Sequence, residues 1–410
     1  MKKYVVIGNG AAAVGCIEGI RSLDADGGIT VISKEPRHVY SRPLISYYLE
    51  GKTDLDRMLY RGEDFYEKNG CRVLFGDTAV KIDAQGKTVL TEKGETVPYD
   101  ALCVAAGSSP FVPPFAGLET VGKKFGFMTL DDALDLEKAI FDTCRVLIVG
   151  AGLIGLKCAE GIRGRVGKIT VCDLADRVLS SILDADCAAI IQKHLEDNGI
   201  EFLLSDSAER FEGNRAVMKS GKEVEFDVLV LAVGVRANSG LVRDAGGEVN
   251  RGIIIDESGA TSLPGVYAAG DCAEGDDAIL GSKRVLAIMP NAYMGGRTAG
   301  VNMAGGDEKF DRAMPMNSIG FFGLHAMTAG TYEGACYEER GEGSIKRLFT
   351  EDGLLKGFIL IGCDERAGIY TSLIRERTPL DSIDFEALKK AATTTAFSAE
   401  RRAQMFGEAV

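Results

Sequence analysis

The sequence lacks the residue patterns of several common functional sites. Tryptophan is absent, and the three histidines share no local pattern with one another or with a cysteine. Ten cysteines are present, but no two of them have C-x-x-C or C-x₄-C spacing. A zinc ribbon, an iron–sulfur cluster or a local dithiol centre is therefore disfavoured, and no metal site is predicted. We interpret the cysteines as small apolar residues in a reducing compartment.

Long apolar runs and an excess of positive charge are also missing. No run approaches the ~18 residues of a transmembrane helix. The N-terminal run Tyr4–Ile7 ends at Gly8, which makes it too short for a signal sequence. The net charge is −13, so a basic surface for nucleic acid or for a membrane is not expected. These features predict a cytoplasmic protein that binds neither nucleic acid nor membrane.

Glycine is abundant, with 51 residues against ten prolines. This composition favours an α/β protein with many tight turns between strands and helices. A length of 410 residues with 46% hydrophobic content is enough for several cores. At roughly 100–200 residues per domain, two to four domains are predicted.

A segment near the N-terminus is repeated 142 positions later. Residues 5–21 and 147–163 each have the pattern of an apolar strand, a glycine-rich turn and a helix. A second strand pattern follows each of them, at Ile29–Ser33 and at Ile169–Asp173. Two units of this kind predict two Rossmann-like sheets.

The turn of each repeat has the spacing of a dinucleotide-binding loop, Gly-x-Gly-x-x-Gly/Ala. The first glycine forms the turn, the second lets the backbone approach a pyrophosphate, and the third small residue lets the helix pack on the strand. The pyrophosphate then lies at the positive end of the helix. One such motif also occurs in ordinary glycine-rich turns, but two at matching registers predict two dinucleotide sites. The predicted contacts are Gly8, Gly10, Ala11, Ala12 and Ala13 in the first copy and Gly150, Gly152, Leu153, Ile154 and Gly155 in the second.

An acidic residue at the end of the second strand is expected to bind ribose hydroxyls. In the second copy this residue is Asp173, which would repel a 2′-phosphate and so favours NADH over NADPH. Arg177 is close in sequence and would weaken that preference. In the first copy the position is Ser33, and we assign the ribose to Glu35, with a solvated loop acid as the alternative.

The chain resembles pyridine nucleotide–disulfide oxidoreductases of the NADH:rubredoxin/ferredoxin reductase and nitrite-reductase-like NADH dehydrogenase type. The resemblance covers about residues 1–380 and rests on six motifs in order, at residues 8–13, 40–44, 99–108, 150–155, 231–238 and 266–271. It implies an α/β fold with two Rossmann-like domains of the glutathione-reductase type and a small C-terminal α+β interface domain. The implied boundaries are residues 1–110 and 237–312 for FAD, 111–236 for NAD, 313–384 for the interface domain and 385–410 for a helical tail.

The resemblance also implies roles for residues outside the glycine loops. Asp271, next to Gly270, would accept a hydrogen bond from the ribityl chain of FAD. Arg42 and Pro43 would lie beside the isoalloxazine or the pyrophosphate, and Val80 would contact the adenine through its backbone. The remaining implied contacts are Ala105, Ala106 and Gly107 for FAD, and Val233 and Gly234 for NAD.

A further helix is predicted to begin at Pro290, with its N-terminus directed at the N1/O2 edge of the flavin. Proline suits the first helical position. The positive helix end would stabilise the negative charge of reduced flavin by roughly 0.3–1 kcal/mol. Pro290 and Asn291 are therefore assigned to FAD, with ordinary packing of this helix as the alternative.

Several positions depart from the family pattern. The two redox cysteines of the disulfide reductases are absent, and the segment Ser41–Tyr48 also lacks the single cysteine of the related NADH oxidases. Tyr47 replaces a lysine, and Lys157 replaces a glutamate that is often near the nicotinamide. Lys157 would either bind a carboxylate or pyrophosphate or be solvated. Arg42, Pro43 and Lys157 are the flavin-proximal candidates, and no catalytic acid or base is assigned.

These features predict an FAD-dependent NADH oxidoreductase that transfers hydride between NAD(H) and flavin N5, which requires alignment more than acid–base chemistry. Electrons would pass between the flavin and a rubredoxin, a ferredoxin or an iron–sulfur subunit of a larger complex. An NADH oxidase using oxygen or small-molecule acceptors and a non-catalytic flavin-binding assembly subunit are the alternatives. A homodimer and a subunit of a hetero-oligomeric complex both remain open.

Overall fold

The computed structural model describes residues 1–363 and 366–406. These residues belong to two compact units. The first unit comprises residues 1–176, 199–277 and 282–313. The second comprises residues 177–198, 278–281 and the C-terminal part from Met314. Residues 407–410 of the predicted tail lie outside the described residues.

The elements are numbered in chain order. The strands are β1 Lys3–Ile7, β2 Gly28–Ser33, β3 Cys71–Phe75, β4 Ala79–Asp83, β5 Thr88–Thr91, β6 Thr96–Pro98, β7 Ala101–Val104, β8 Ser108–Pro110, β9 Lys124–Phe125, β10 Arg145–Val149, β11 Lys168–Cys172, β12 Ile200–Leu203, β13 Ala208–Glu212, β14 Arg215–Met218, β15 Glu223–Glu225, β16 Val228–Leu231, β17 Val235–Ala237, β18 Ile253–Ile254, β19 Val266–Ala268, β20 Ala273–Asp276, β21 Lys283–Arg284, β22 Met316–Phe321, β23 Leu324–Gly330, β24 Ala335–Gly341, β25 Ser344–Glu351 and β26 Leu354–Ile361. The helices are α1 Ala11–Arg21, α2 Ile45–Leu49, α3 Phe65–Lys68, α4 Leu130–Ala139, α5 Leu153–Ile162, α6 Ala185–Asp197, α7 Gly240–Asp244, α8 Met289–Met303, α9 Ala367–Arg375, α10 Phe385–Lys390 and α11 Ala399–Phe406.

Two parallel five-stranded sheets lie in the first unit. Their strand orders are β3-β2-β1-β7-β19 and β12-β11-β10-β16-β9. The central strands β1 and β10 are continuous apolar runs, as expected for strands covered on both faces. Strand β1 lies between β2 and β7, with β3 beyond β2. In the same way β10 lies between β11 and β16, with β12 beyond β11. The predicted α/β fold with two Rossmann-like sheets is therefore confirmed.

The repeat extends to the smaller sheets of this unit. The antiparallel sheet β4-β5-β6 lies in sequence between β3 and β7, and β13-β14-β15 lies between β12 and β16. Strands β8 and β17 form an antiparallel ribbon, in which Ser109 is opposite Arg236. The boundaries expected at residues 110/111 and 236/237 fall in this ribbon, and the domain boundaries themselves stay a prediction.

Helices α1 and α8 pack backbone against backbone. A Cβ atom at Gly296 would lie 2.1 Å from the carbonyl oxygen of Ala12, and one at Gly300 would lie 2.1 Å from that of Cys16. Positions increase together along both helices, so the helices are parallel. Glycine is the one residue type that permits this approach. The N-termini of α1 and α8 are consequently neighbours.

The second unit contains an antiparallel sheet of order β22-β23-β26-β25-β24. Apolar residues of this sheet pack with α9 and α10 in one core, which includes Leu348, Phe358 and Tyr370. Arg347 on β25 is almost buried and forms ion pairs with Asp184 and Asp186 at the start of α6. Residues 177–198 therefore belong to this unit, although the NAD range 111–236 implied by the resemblance includes them.

The described part of the predicted helical tail, residues 385–406, is helical but is not one continuous helix. It contains α10, a 3₁₀ turn at Thr394–Ala396 and α11. Leu388 and Phe397 are buried in the core of the second unit, and the Tyr370 hydroxyl donates a hydrogen bond to the Leu388 carbonyl. The first half of the segment is thus part of this core, because its apolar side chains have partners there.

No helix among residues 1–363 and 366–406 has both the length and the apolar composition of a membrane span.

Candidate functional site

The first glycine loop connects β1 to α1. Gly8 has φ +115°, and a Cβ atom there would lie 2.0 Å from the Ala105 carbonyl oxygen. A Cβ at Gly10 would meet nothing within 4 Å. Gly8 is therefore required by the turn and its packing, whereas Gly10 leaves open space in front of the helix.

The N-termini of α1 and α8 both border one cleft of about 260 Å³. Gly10 caps α1 and Ile288 caps α8, in each case without a side-chain hydrogen bond. The first backbone amides of a helix have no intrahelical acceptor, and the dipole makes this end positive. The cleft is therefore suited to a ligand with negative charge in two places. Helix α8 begins at Met289, one residue before the predicted start, and Pro290 lies in its first turn.

Most of the predicted FAD residues lie on the wall of this cleft. Those that line it are Gly10, Ala11, Ala12, Arg42, Pro43, Ala105, Gly107, Gly270 and Asp271. Further lining residues that sequence reasoning missed are Tyr40, Tyr60, Ala269, Ala287, Met289 and Ala292. Tyr40 and Ala269 lie within the quoted motifs and could have been found there, whereas nothing in the sequence distinguishes Tyr60 or Ala287.

The other residues assigned to FAD are Gly8, Ala13, Glu35, Val80, Ala106, Pro290 and Asn291, and the cleft wall does not include them. Ala13 is buried in the core beneath the loop. Asn291 lines a neighbouring pocket that shares Gly270 and Ala292 with the cleft. Val80 is exposed in β4, where the register with β5 shifts between Ala79 and Lys81. Its predicted backbone contact with the adenine stays a prediction.

Asp271 is a half-buried acid in the cleft wall. The Ser108 hydroxyl lies 3.3 Å from its Oδ2 atom. Partial burial raises the pKa of the Asp271 carboxyl above its ordinary value of 3.8, against the opposing effects of Ser108 and Arg42. A carboxyl group in this setting is a strong hydrogen-bond acceptor when it is ionised.

A polar network positions Arg42 at the cleft. Arg42 forms an ion pair with Glu35, and the Tyr40 hydroxyl donates to the Glu35 Oε2 atom at 2.7 Å. Arg42 Nη1 also donates to the Met128 carbonyl at 3.2 Å. The backbone amide of Leu130 donates to the Tyr40 hydroxyl at 2.8 Å. Glu35 therefore holds two residues of the cleft wall, and its predicted ribose contact stays a prediction.

The second glycine loop, between β10 and α5, repeats the geometry of the first. Gly150 has φ +117°, and a Cβ atom there would lie 2.2 Å from the Ala232 carbonyl oxygen. A Cβ at Gly155 would lie 2.0 Å from the Gly150 carbonyl oxygen, whereas Gly152 has nothing within 4 Å. Leu153 and Ile154 are partly exposed at the start of α5.

The residues after β11 and β16 complete this second loop region. The Asp173 Oδ2 atom accepts from the Ala151 amide at 2.7 Å, and its Oδ1 atom accepts from the Ala175 amide at 2.8 Å. The carboxylate thus joins the glycine loop to the end of β11, and each oxygen has a second lone pair for a ligand. The backbone amide of Val233 would lie 3.2 Å from a Cβ at Gly150, and Gly234 has φ +118°.

Lys157 on α5 is paired rather than solvated. Its ammonium forms an ion pair with Glu160 and lies 4.6 Å from the centre of the Tyr47 ring. The side chains of Lys157 and Glu160 are 14% and 4% exposed. The expectation of a solvated side chain is wrong, because Tyr47 and Glu160 cover it. Binding of a carboxylate or pyrophosphate of a ligand by Lys157 stays a prediction.

The cysteines do not form disulfides in the structure, where all ten are free. Cys272 follows Asp271 in sequence but is buried, and its thiol donates to the carbonyls of Val104 and Ala269. Burial raises the pKa of the Cys272 thiol to about 12. No group of three or more potential metal ligands is present within the described part of the chain.

Residues 2–296 match the family described as pyridine nucleotide-disulphide oxidoreductase. This match spans more than half of the chain, and the chain belongs to this family. It is an FAD-dependent oxidoreductase that uses NAD(P)H.

Individual relatives agree with this family over nearly the whole chain. The NADH-dependent phenylglyoxylate dehydrogenase subunit epsilon of Aromatoleum evansii is 31% identical, and the match covers 92% of each chain. The NADH oxidase of Methanocaldococcus jannaschii is 33% identical over 88% of this chain and 87% of that protein. The putidaredoxin reductase–putidaredoxin complex has the same fold, with a TM-score of 0.85, 22% identity and 95% coverage of each chain.

Proposed function

We propose that this chain passes electrons from NADH, through FAD, to an iron–sulfur or rubredoxin-type protein. The acceptor is either a diffusing partner or another subunit of a larger oxidoreductase. The observation that supports the proposal best is the presence of two dinucleotide loops of matching geometry in one compact unit. The similarity to a protein named as a subunit of an NADH-dependent dehydrogenase supports the second form of the partner.

The residues around the first cleft fit FAD. Gly10 leaves open space in front of α1, and two helix N-termini border the same cleft, as a dinucleotide with a negatively charged pyrophosphate requires. The first amides of α1 would hold the pyrophosphate, Asp271 would hold a ribityl hydroxyl, and the start of α8 would face the pyrimidine edge of the ring. When bound, FAD supplies the acceptor for two electrons from NADH and the donor of single electrons to the partner.

The second loop region is proposed as the NADH site. The backbone amides at Gly152 and the start of α5 would hold the pyrophosphate, and Asp173 would accept from ribose hydroxyls. A carboxylate at this position disfavours the 2′-phosphate of NADPH through charge repulsion. The Arg177 Nε atom donates to the Leu183 carbonyl, which directs that guanidinium to its own loop.

We base the domain assignment on these two sites and the proposed cellular location on the cysteines. We assign residues 1–110 and 237–312 to FAD, 111–236 to NAD, 313–384 to an interface domain and 385–410 to a C-terminal segment. Each of the first two contains one of the parallel sheets. The free cysteines support a reducing compartment such as the cytoplasm.

Two glycine substitutions test the proposal separately at each site. These are Gly10→Val and Gly152→Val. Both glycines have an extended backbone that valine also adopts, and a Cβ atom at either position would have nothing within 4 Å. We expect Gly10→Val to lose FAD. Gly152→Val should retain FAD, and anaerobic NADH should bleach its flavin absorbance roughly 100-fold more slowly than in the wild type. Gly164→Ala, where a Cβ also meets nothing, is the control.

The wild-type result in the same experiment decides between function classes. A flavin that stays oxidised with excess anaerobic NADH would contradict the proposal and indicate a non-catalytic flavin-binding assembly subunit. Bleaching of Gly152→Val at the wild-type rate would show that NADH binds elsewhere. The partner is identified by anaerobic purification of the tagged chain from its own cells, followed by NADH-dependent reduction of each candidate.

An NADH oxidase is the second candidate, favoured by the similarity to the Methanocaldococcus jannaschii protein. It requires fast reaction of the reduced protein with oxygen. We expect NADH consumption in air to be slow without a protein acceptor and to increase when the partner is added. Fast consumption in air that no protein acceptor increases would favour the oxidase.

A further inference from the structure

Helices α2 and α5 are in close contact in the first unit. A Cβ atom at Gly161 would lie 2.8 Å from the Ser46 carbonyl oxygen. The Tyr48 hydroxyl donates to Glu137 on α4 at 3.0 Å, and Arg165 donates to the same carboxylate at 2.8 Å. The contact therefore holds α2 at a defined position on α5.

Lys157 and Glu160 lie at this contact as a buried ion pair covered by Tyr47. Removing two charges from water costs several kcal/mol per ion, and a buried ion pair commonly adds little net stability. Apolar residues would fill the same space without this cost. The side chains of Lys157 and Glu160 are 14% and 4% exposed, and the presence of charged residues here is thus better explained by an electrostatic role than by packing.

The pair lies between the two proposed nucleotide sites. Lys157 is four residues after Leu153, the first residue of α5, which corresponds to about 6 Å along the helix axis. Glu160 is a further turn away from the glycine loop. On the other side, α2 directly follows the turn Arg42–Leu44, whose first two residues line the FAD cleft. Hydride transfer requires reacting atoms about 3–3.5 Å apart, and we therefore place the nicotinamide of the proposed NADH site in this region.

We propose that Lys157 lowers the affinity of the NADH site for NAD⁺ relative to NADH, and that Glu160 limits this effect. The inference rests on the proposed function. The nicotinamide ring of NAD⁺ has a positive charge and that of NADH is neutral, so a nearby ammonium disfavours the oxidised form alone. Lys157 is closer to the glycine loop than Glu160, and its charge therefore dominates at the ring. The pair would promote release of the product after each hydride transfer.

Three variants test the separate effects of the two charges of this pair. Glu160→Gln removes the negative charge, Lys157→Met removes the positive charge, and the double variant removes both. A unit charge roughly 10 Å from the ring changes affinity on the order of tenfold at an effective dielectric constant near 20, and the opposing charge reduces this to about threefold. NAD⁺ should bind most tightly to Lys157→Met, then to the double variant, the wild type and Glu160→Gln.

The binding experiment uses the FAD-loaded protein and three ligands. NAD⁺ is compared with 1,4,5,6-tetrahydro-NADH, which has a neutral ring and cannot donate hydride, and with ADP-ribose, which has no nicotinamide. Dissociation constants are measured by calorimetry. We expect the variants to change the ratio for NAD⁺ against the neutral analogue and to leave ADP-ribose binding unchanged. FAD content and the urea midpoint show that each variant is folded.

The matched control is Lys168→Met, which breaks the exposed pair Lys168–Glu201 between the neighbouring strands β11 and β12. It should leave the ratio at the wild-type value. A folded double variant with the wild-type ratio would overturn the inference, as would an equal loss of ADP-ribose affinity, which would place Lys157 at the pyrophosphate. Anaerobic bleaching of the wild-type flavin by NADH is measured separately, so failure of the proposed function is distinguished from failure of this inference.

Discussion

Asp271 is a residue of the cleft wall at which cofactor binding and stability are expected to be opposed. Burial raises the pKa of its carboxyl in the folded chain above the ordinary value of 3.8. The folded state therefore binds a proton more tightly than the unfolded state. Stability from this group is complete below pH 3.8 and is lost as pH rises through the folded pKa. Ionisation of this carboxyl is thus a destabilising feature of the folded chain, which the proposed hydrogen bond to FAD would explain.

Asp271→Asn is expected to separate these two effects. At pH 7 the FAD-free variant should be more stable than the FAD-free wild type, because no charge is buried. The gain should disappear below pH 3.8. FAD should bind on the order of tenfold more weakly, since a charge-assisted hydrogen bond is replaced by a neutral one. Urea midpoints at several pH values and FAD titration measure both effects.

Asp206→Asn is a control of opposite sign. Although burial raises the pKa of the Asp206 carboxyl, hydrogen bonds from the side chain and backbone of Ser220 outweigh it and lower this pKa. Its stabilising contribution is present above pH 3.8 and is lost as pH falls through the lower folded pKa. Asp206→Asn should therefore destabilise at pH 7. Equal effects of the two substitutions would contradict the assignment of Asp271.

Local spacing predicted the residues that form backbone geometry. Gly8 and Gly150 were found because a turn with φ near +115° and a carbonyl at about 2 Å from Cβ requires glycine. Asp271 was found through a resemblance rather than through spacing. The pairing of Lys157 with Tyr47 could not be predicted, because the two residues are 110 positions apart and meet only through the packing of α2 on α5.

At the scale of elements, the contact of α1 with α8 offers a direct test in two adjacent residues. Gly296→Ala places a methyl group 2.1 Å from the Ala12 carbonyl oxygen, where neither backbone can move without disturbing its helix. We expect the free energy of unfolding to decrease by at least about 1–3 kcal/mol. Retained FAD should decrease as well, because α1 and α8 both border the cleft.

Gly295→Ala is the matched control on the same helix. A Cβ atom there has Phe310 as its nearest neighbour, at 3.6 Å, which is an ordinary contact. Alanine is favoured over glycine within a helix by roughly 0.5–1 kcal/mol. Urea unfolding should therefore show opposite changes for the two adjacent substitutions. Equal stability of both variants would refute backbone contact between the helices.

The sequence repeat predicted the order of the two parallel sheets, since strand periodicity and the glycine turns are local features. It did not predict that residues 177–198 would belong to the second unit. That assignment depends on Arg347, which is more than 160 positions from its partner Asp184 and follows no periodic pattern. The burial of Leu388 and Phe397 was not predicted, because they are few apolar residues in a mainly charged segment and their partners are distant in sequence.

At the scale of the whole molecule, arginine–carboxylate networks determine the response to acid. Arg145 lowers the pKa of Asp227, and Arg340 with Arg347 lowers the pKa values of Asp186 and Glu338. These contributions are present above the ordinary values of 3.8 and 4.5 and are lost as pH falls through the lower folded values. The networks occur in both compact units.

We therefore expect the urea midpoint of the FAD-loaded protein to be nearly constant from pH 8 to about 5 and to fall steeply below it. Asp271 acts in the other direction but is one group against several. High salt should weaken the exposed pairs at pH 7. A midpoint that increases on acidification to pH 4 would show that buried raised-pKa groups dominate instead.

The backbone contact of α1 with α8 also has a consequence for biosynthesis. Gly15 and Gly19 emerge from the ribosome early, but their partners on α8 are translated only after β9–β16 and β19. The second parallel sheet lies entirely within the intervening chain and is able to form first, in line with the folding of domains as units during synthesis. The wall of the cleft is complete only when α8 has left the ribosome. We therefore expect the proposed FAD site to form after the second parallel sheet, once α8 has been translated.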